Sequence, residues 1–467
     1  MKLVILSGVL AIIAFLPPQF IGASLALGGP FKFSFIFAFF CLVPFFIFLE
    51  KENKFWRLLL GTFIFRLILL SGTVYYTLEP ITWILLLLIF CGLAPTVFLV
   101  KKLKMPRWAF FTTLAVAWTI WDLLEAEFSL LPSYIITLGN SLGSSPFLGL
   151  ASIGGLSTLT LFAAAINSFI SIFLKRVAVK RNHFIMPSFV ALVILFIIFA
   201  DALSISKILL QKNASDYENL GNSLKIIAVS VDENFNINKF NQLKSGFTNE
   251  NADLIILPED VLNNTVNINF YENFAKELKT NVAVTLNVQS KNGRRDSTIL
   301  LDQNGEIFGA YSKNRLTFIG EYWPFGSWHP KIFDWLKKNN PQYKDYAIFN
   351  PQNPYFRGEK KILELKTGNG DTVKFASLIC LEIHYPADLK IYKNMGAQFI
   401  INPSSNRWMG GLGENHFLYL IDNLKKIESV WLKIPVVSAG VNDIAGITTP
   451  DGKTATNRNV FEGEVRY

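Results

Sequence analysis

The sequence predicts a two-part fold: a multi-pass α-helical membrane domain over residues 1–205, then an α/β domain over 206–467. Three observations predict it. The chain is 51% hydrophobic with a mean hydropathy of +0.34, too apolar for a soluble enzyme of 467 residues. Apolar runs separated by short polar connectors continue to about Ser206, and from Lys207 to Tyr467 the chain is mixed and charged. In that second stretch, short β-type runs alternate with helical segments.

A bilayer core takes about 20 apolar residues per helix. Seven stretches qualify, near 3–20, 33–49, 58–77, 81–100, 108–124, 147–174 and 185–205. The first has Lys2 ahead of it and Pro17-Pro18 behind, but no small-residue cleavage pattern, and is read as a retained helix. Positive charge resists translocation. Lys2, Lys51/Lys54/Arg57, Lys101/Lys102/Lys104/Arg107 and Lys175/Arg176/Lys180/Arg181 fall on alternate connectors, whereas the others carry Lys32, Glu79, Glu125 and Glu127. An odd number of spans starting inside ends outside, so the α/β half is expected to face the periplasm or cell exterior. The net charge of +9 lies largely in the basic connectors. No basic stripe interleaved with aromatics marks a nucleic-acid partner. Arg66 falls inside the third span, where a charge is costly and is paired, snorkelling or functional.

The β-type runs are 224–231, 253–257, 282–288, 298–301, 374–379, 398–401 and 436–441. Turn pairs at Asn304-Gly305, Gly368-Asn369-Gly370 and Asp451-Gly452 predict hairpins, so the sheets must be mixed. Three run ends carry polar residues: DLIILPED ends with Glu259 near its close, FGAYSKNRLTFIGEYWPF carries Lys313 and Glu321, and KFASLICLEIHYP carries Cys380 and Glu382. Side chains at such ends project into loops, where active sites assemble.

Cys41 and Cys91 lie within apolar spans, which leaves Cys380 as the only thiol in the exported half, with no disulfide partner there. A thiol with a free pKa of about 8.5 is mostly protonated at neutral pH and needs a base or a neighbouring cation. Glu259 can be that base. Lys313 can supply the cation and, with the backbone N–H of Leu381 after the cysteine, donate to a developing oxyanion. His183, His329, His384 and His416 lack metal-ligand spacing, no phosphate loop is present, and no metal or other cofactor is assigned.

These segments resemble the apolipoprotein N-acyltransferase family, the membrane branch of the nitrilase (carbon–nitrogen hydrolase) superfamily. The resemblance rests on LPE at Leu257–Glu259, on Lys313 eight residues before Glu321 of GEYWPF, and on ICLEIHYP from Ile379 to Pro386. It extends to NPSSNRWMG from Asn402, GENHF with His416, and the segments from Trp118 and Leu138 in the apolar half. Leu381 stands where the family often has tyrosine, Phe318 where it has proline before GEY, and Asn406-Arg407 where it has Asp-Ala. The segment Ile434–Ala439 lacks the family's basic residues, and the chain stops at Tyr467 without the family's final transmembrane helix.

The resemblance implies a nitrilase-like αββα sandwich with a Glu259, Lys313, Cys380 catalytic triad. It implies Glu321 and Glu382 in support, with Leu381 beside the nucleophile, and Trp323 and Trp408 lining an acyl pocket. It implies a multi-pass protein of the bacterial cytoplasmic (inner) membrane whose catalytic domain faces the periplasm. The implied activity is acyl transfer from a membrane phospholipid, through a Cys380 thioester, to the N-terminal amine of diacylglyceryl-cysteine on an apolipoprotein acceptor. The alternatives are a membrane-tethered amidohydrolase with the same triad and a non-catalytic scaffold; retention of all three residues argues against the scaffold.

Overall fold

A computed structural model describes the chain except for residues 18–32, 74–86, 129–133, 180–184, 248–251, 263–266, 291–292, 340–345, 351, 368–369, 408–413 and 458. It divides into two compact units. One is Met1–Asn213 with Gly411–Trp431, and the other is Ala214–Gly410 with Leu432–Tyr467. The first therefore includes nearly all of the helix Glu414–Leu432, which the sequence reading had grouped with the rest of 206–467.

In the helical unit, five stretches among the described residues are long and apolar enough to cross a membrane: Ser34–Lys51, Phe55–Thr73, Arg107–Phe128, Leu148–Lys175 and Leu192–Glu218. They correspond to five of the seven expected spans. The first expected span is a shorter helix, Lys2–Phe15, and the fourth falls partly on 74–86, outside the described residues.

Breaks in these helices have local causes. The first span changes from a 3₁₀ turn, Ser34–Phe39, to the α-helix Val43–Lys51. Backbone groups freed at such a break need partners in apolar surroundings. Asn167 supplies them, donating to Ala38 O at 2.7 Å and accepting from Leu42 N at 2.8 Å. The helix Ala151–Val179 kinks at Gly154-Gly155. Gly155 has φ +64°, and a Cβ there would lie 2.8 Å from the Trp431 indole, so both backbone and packing require glycine.

Arg66 is a buried ion-pair residue. Its Nε donates to Glu125 Oε1 at 2.9 Å, Nη2 lies 2.5 Å from Oε2, and Asp122 is 4.0 Å from Nη1. Glu125, read from sequence as a connector residue, thus lies inside the helix Arg107–Phe128. Asp122 also accepts from Leu138 N at 2.8 Å, and Asn140 donates to Leu420 O at 2.9 Å, which joins the 138–142 turn to the helix Glu414–Leu432.

The second unit is a mixed sheet. Its strands are β1 (Ser223–Val231), β2 (Leu254–Glu259), β3 (Asn281–Ser290), β4 (Gly293–Leu301), β5 (Ile307–Ser312), β6 (Leu363–Lys366), β7 (Thr372–Ser377), β8 (Phe399–Ser405), β9 (Val436–Val441), β10 (Ala445–Thr448), β11 (Thr454–Asn457) and β12 (Val460–Arg466). The order is β5-β4-β3-β2-β1-β9-β8-β7-β6, with β12 on β1 and the β10–β11 hairpin on β9. The central strands β2, β1, β9, β8 and β7 run parallel, as expected of strands buried on both faces. β1 joins β9 only through Ser230 and Val231, so the sheet forms two halves joined at that point.

Alternation along the strands sets the layers. Ile227, Val229, Ile255, Leu257, Val282 and Val284 face the helices Ile237–Phe247 and Ile268–Leu278 through Phe240, Tyr271 and Phe274. On the opposite face, Thr285, Thr298 and Ser377 form a chain of hydroxyls at 2.8 and 2.7 Å that links β3 through β4 to β7.

Candidate active site

Glu259 reaches this inner face through an irregularity. Simple alternation from Ile255 and Leu257 would turn it toward the helices. The register with β3 shifts between Ile256 and Glu259, so that Ile256 pairs with Ala283 but Glu259 pairs with Thr285. A bulge moves every later side chain to the other face. Pro258, which has no N–H to give to the ladder, sits within it. The chain then turns through Asp260 at φ +49°.

Lys313 follows β5 directly. Its N–H donates to Asp296 O and its carbonyl accepts from Gly358 N, both at 2.8 Å. The buried ammonium lies 2.5 Å from Glu321 Oε1 and 3.7 Å from Glu259 Oε1. Glu321 is held in turn by Thr317 N at 2.8 Å. Ile319, two residues earlier, has φ +71°, costly for a β-branched residue and a mark of local strain.

Cys380 opens a 3₁₀ turn, Cys380–His384, at φ +52°. This sharp turn after β7 sets the thiol beside the Glu259 carboxylate and the Ser405 backbone. Asn402 steadies the turn by donating to Leu378 O at 2.7 Å and Cys380 O at 3.1 Å. The Leu381 amide lies in the first turn, where helical N–H groups have no carbonyl of their own helix to bond.

Glu382 is the splice of the site. One oxygen accepts from Tyr311 OH and Asn314 N at 2.7 Å and Arg315 N at 3.0 Å, and the other accepts from Ile379 N at 2.8 Å. It locks the Lys313 loop to the Cys380 turn and does not touch the Lys313 ammonium or the Cys380 sulfur through these bonds.

The electrostatics follow from burial. Desolvation pushes the Glu259 carboxyl up to about 7, against the pull of Lys313 and helped by Glu321. Burial and then the charge of Glu259 push the Cys380 thiol up, so the resting sulfur carries its proton. For Lys313 burial opposes the charge, but Glu321 and Glu259 outweigh it and hold the ammonium.

Asp296 was not singled out from sequence. Its carboxylate is buried on β4, accepts from Asn287 Nδ2 at 3.0 Å, and groups with Glu259 and Glu321 so that one oxygen of each lies within 4.8 Å of the others. Lys313 supplies the cation of this acidic cluster. The signal in the sequence is slight: Asp296 shares the inward parity of Thr298 on β4.

Of the proposed acyl-pocket residues, Trp408 lies outside the described residues. Trp323 is buried at 9% exposure among Phe318, Phe325 and Phe333, with its indole N–H on Trp328 O at 2.7 Å. The exposed aromatics of this loop are Tyr322, Phe325 and Trp328.

A mixed sheet in two halves, carrying a carboxylate, a buried ammonium and a thiol at its strand ends, defines a domain of the nitrilase type. Residues 221–455 match the family model described as carbon-nitrogen hydrolase, and residues 7–169 match that of the apolipoprotein N-acyltransferase N-terminal domain. The chain belongs to the carbon–nitrogen hydrolase family, in its apolipoprotein N-acyltransferase branch.

A curated relative, apolipoprotein N-acyltransferase 2 of Treponema denticola, is 26% identical over 172 residues, which are 37% of this chain and 30% of the relative. Among solved structures, an amidase from Nesterenkonia sp. aligns at 14% identity over 52% of this chain and 88% of its own, with a TM-score of 0.35. The C. elegans NitFhit protein aligns at 13% identity over 52% and 61%, with a TM-score of 0.37.

Proposed function

We propose that the protein is an N-acyltransferase that moves a fatty acyl group from a membrane phospholipid to the N-terminal amine of diacylglyceryl-cysteine on apolipoproteins. The observation that carries this reading is the meeting of Glu259, Lys313 and Cys380 in one buried site, in a chain whose apolar half matches the N-terminal domain of that family.

In the first half-reaction Glu259 takes the Cys380 proton and the sulfur attacks an ester carbonyl of the phospholipid. Lys313 and the Leu381 N–H receive the oxyanion. The C–O bond breaks, and the proton held by Glu259 passes to the departing lysophospholipid alkoxide. In the second half-reaction the acceptor amine attacks the thioester, Glu259 takes the amine proton and returns it to sulfur as the C–S bond breaks. Each half forms one bond, breaks one and returns Glu259 to its ionised state. Apolar helices in the same chain suit substrates whose acyl chains resist leaving the bilayer by about 0.8 kcal/mol per buried CH₂.

The catalytic unit is proposed to lie on the periplasmic side of the bacterial inner membrane, from the alternation of basic connectors. Alkaline phosphatase fused after Tyr467 should be active and green fluorescent protein dark; the reverse pattern overturns this orientation.

The function itself is tested by expressing the chain in a bacterium depleted of its own N-acyltransferase and weighing the N-terminal peptide of a reporter lipoprotein. A gain of one fatty-acyl mass that disappears in Cys380→Ala supports the reading. A thioester on Cys380 that decays in buffer, with the lipoprotein unmodified, points to the amidohydrolase instead.

A further inference from the structure

Arg407 spans the two sides of the reacting site. It lies two residues after Ser405, whose backbone faces the Cys380 sulfur. Its guanidinium crosses to the loop that follows Glu259, where Nη1 donates to Asp260 O at 2.8 Å and Nη2 to Val261 O at 3.2 Å.

These anchors are neutral carbonyls. Among the described residues, no carboxylate oxygen lies within ion-pair distance of Arg407, and its buried Nε–H has no acceptor. Each terminal nitrogen carries a second N–H beyond the one bonded to backbone. The side chain is half-buried; desolvation works against its charge, which the nearby carboxylates of Asp260, Glu259 and Glu233 only partly offset. A planar cation fixed along one edge, partly desolvated and hydrogen-bonded to carbonyls instead of to a carboxylate, is suited to receive an anion in a charge-assisted, bidentate manner.

The substrate proposed above brings such an anion. A glycerophospholipid carries its phosphodiester a few bonds from the ester carbonyl that Cys380 would attack, so the phosphate must lie beside the catalytic pair whenever the ester is in place. Asp260, whose own carboxylate is next to this cation, is engaged by Asn287 N at 3.2 Å.

We propose that Arg407 is a specificity-determining residue that binds the phosphodiester of the acyl donor and thereby presents the ester to Cys380. This inference rests on the acyl-transfer reading and adds to it the part of the donor that is recognised.

The test uses the full chain in detergent micelles and measures the acyl mass on the Cys380 peptide. One donor is dipalmitoyl phosphatidylglycerol, and the other is p-nitrophenyl palmitate, an ester of the same acyl chain without phosphate. Arg407→Ala should lower kcat/KM for the phospholipid about 10–100-fold more than for the neutral ester, mostly through KM, the range expected for one charge-assisted contact. Arg407→Lys, which keeps the charge but not the fork, should recover part of that difference. Equal losses with the two donors would mean that Arg407 only ties residue 407 to the 260–261 loop, and would overturn the proposal, as would no loss with either. A wild-type protein that forms no thioester with either donor would defeat the acyl-transfer reading itself, a separate result.

Discussion

The ammonium of Lys313 lies 3.7 Å from Glu259 on one side and 2.5 Å from Glu321 on the other. One cation therefore serves two carboxylates with different neighbours. Glu321 is tied down by the Thr317 amide, whereas Glu259 lies beside the thiol. On the proposed mechanism, the first group holds the lysine and the second moves the proton.

Glu259 must be ionised to accept the Cys380 proton, and burial places its pKa at about 7. The rate of Cys380 acylation should therefore rise with pH through neutrality and fall about tenfold per unit on the acid side. Glu259→Gln should lower the rate about 10²–10⁴-fold and remove that limb. Single-turnover acylation read by mass spectrometry between pH 5 and pH 9 checks both; a wild-type rate independent of pH across neutrality would count against Glu259 as the base.

Glu321 is the largest influence keeping Lys313 protonated against burial. Glu321→Gln should let desolvation lower the lysine's proton affinity, so that acylation falls on the alkaline side at a lower pH than in the wild type. Once the ammonium is lost the rate should drop about 10²–10³-fold, as for removal of one oxyanion donor. An unshifted alkaline limb in the same assay would show that Glu321 does not govern the lysine.

Glu382 satisfies four donors, one from β5, two from the loop after it and one from Ile379 beside the Cys380 turn. Glu382→Ala strands those donors in a buried site and should destabilise the catalytic unit by about 3–5 kcal/mol. Thermal denaturation in detergent is the readout. A wild-type melting temperature would mean that water replaces the carboxylate at no cost.

Arg66→Met leaves Glu125 buried beside apolar side chains and should destabilise the helical unit by about 3–5 kcal/mol. Arg66→Met/Glu125→Gln should recover part of the loss, because the nearer of the two stranded carboxylates is gone and only Asp122 remains. Measured by detergent-induced unfolding, a double variant no better than the single one would assign the effect to packing rather than to charge.

Much of this was legible along the chain because it depends on neighbours in sequence. Apolar run length locates five helices that can cross a membrane, and alternation with turn pairs locates the main strands of the sheet. The motifs around Glu259, Lys313 and Cys380 identify reactive residue types at run ends, since each occupies only a few consecutive positions.

Other features arise from residues far apart in sequence. The face that Glu259 occupies depends on a register shift against β3, and reading β2 alone would turn it to the wrong side. Asp296 joins the site because β4 brings it beside Lys313, and Arg66 meets Glu125 across 59 positions. Trp323, which the resemblance implies lines an acyl pocket, packs among Phe318 and Phe333. The helix Glu414–Leu432 has the amphipathic sequence of a globular helix, yet it packs in the helical unit through Asn140 and Asn213. Periodicity reports which side of an element is buried, whereas pairing and charge balance depend on which elements meet, and that is set by the packing of the whole chain.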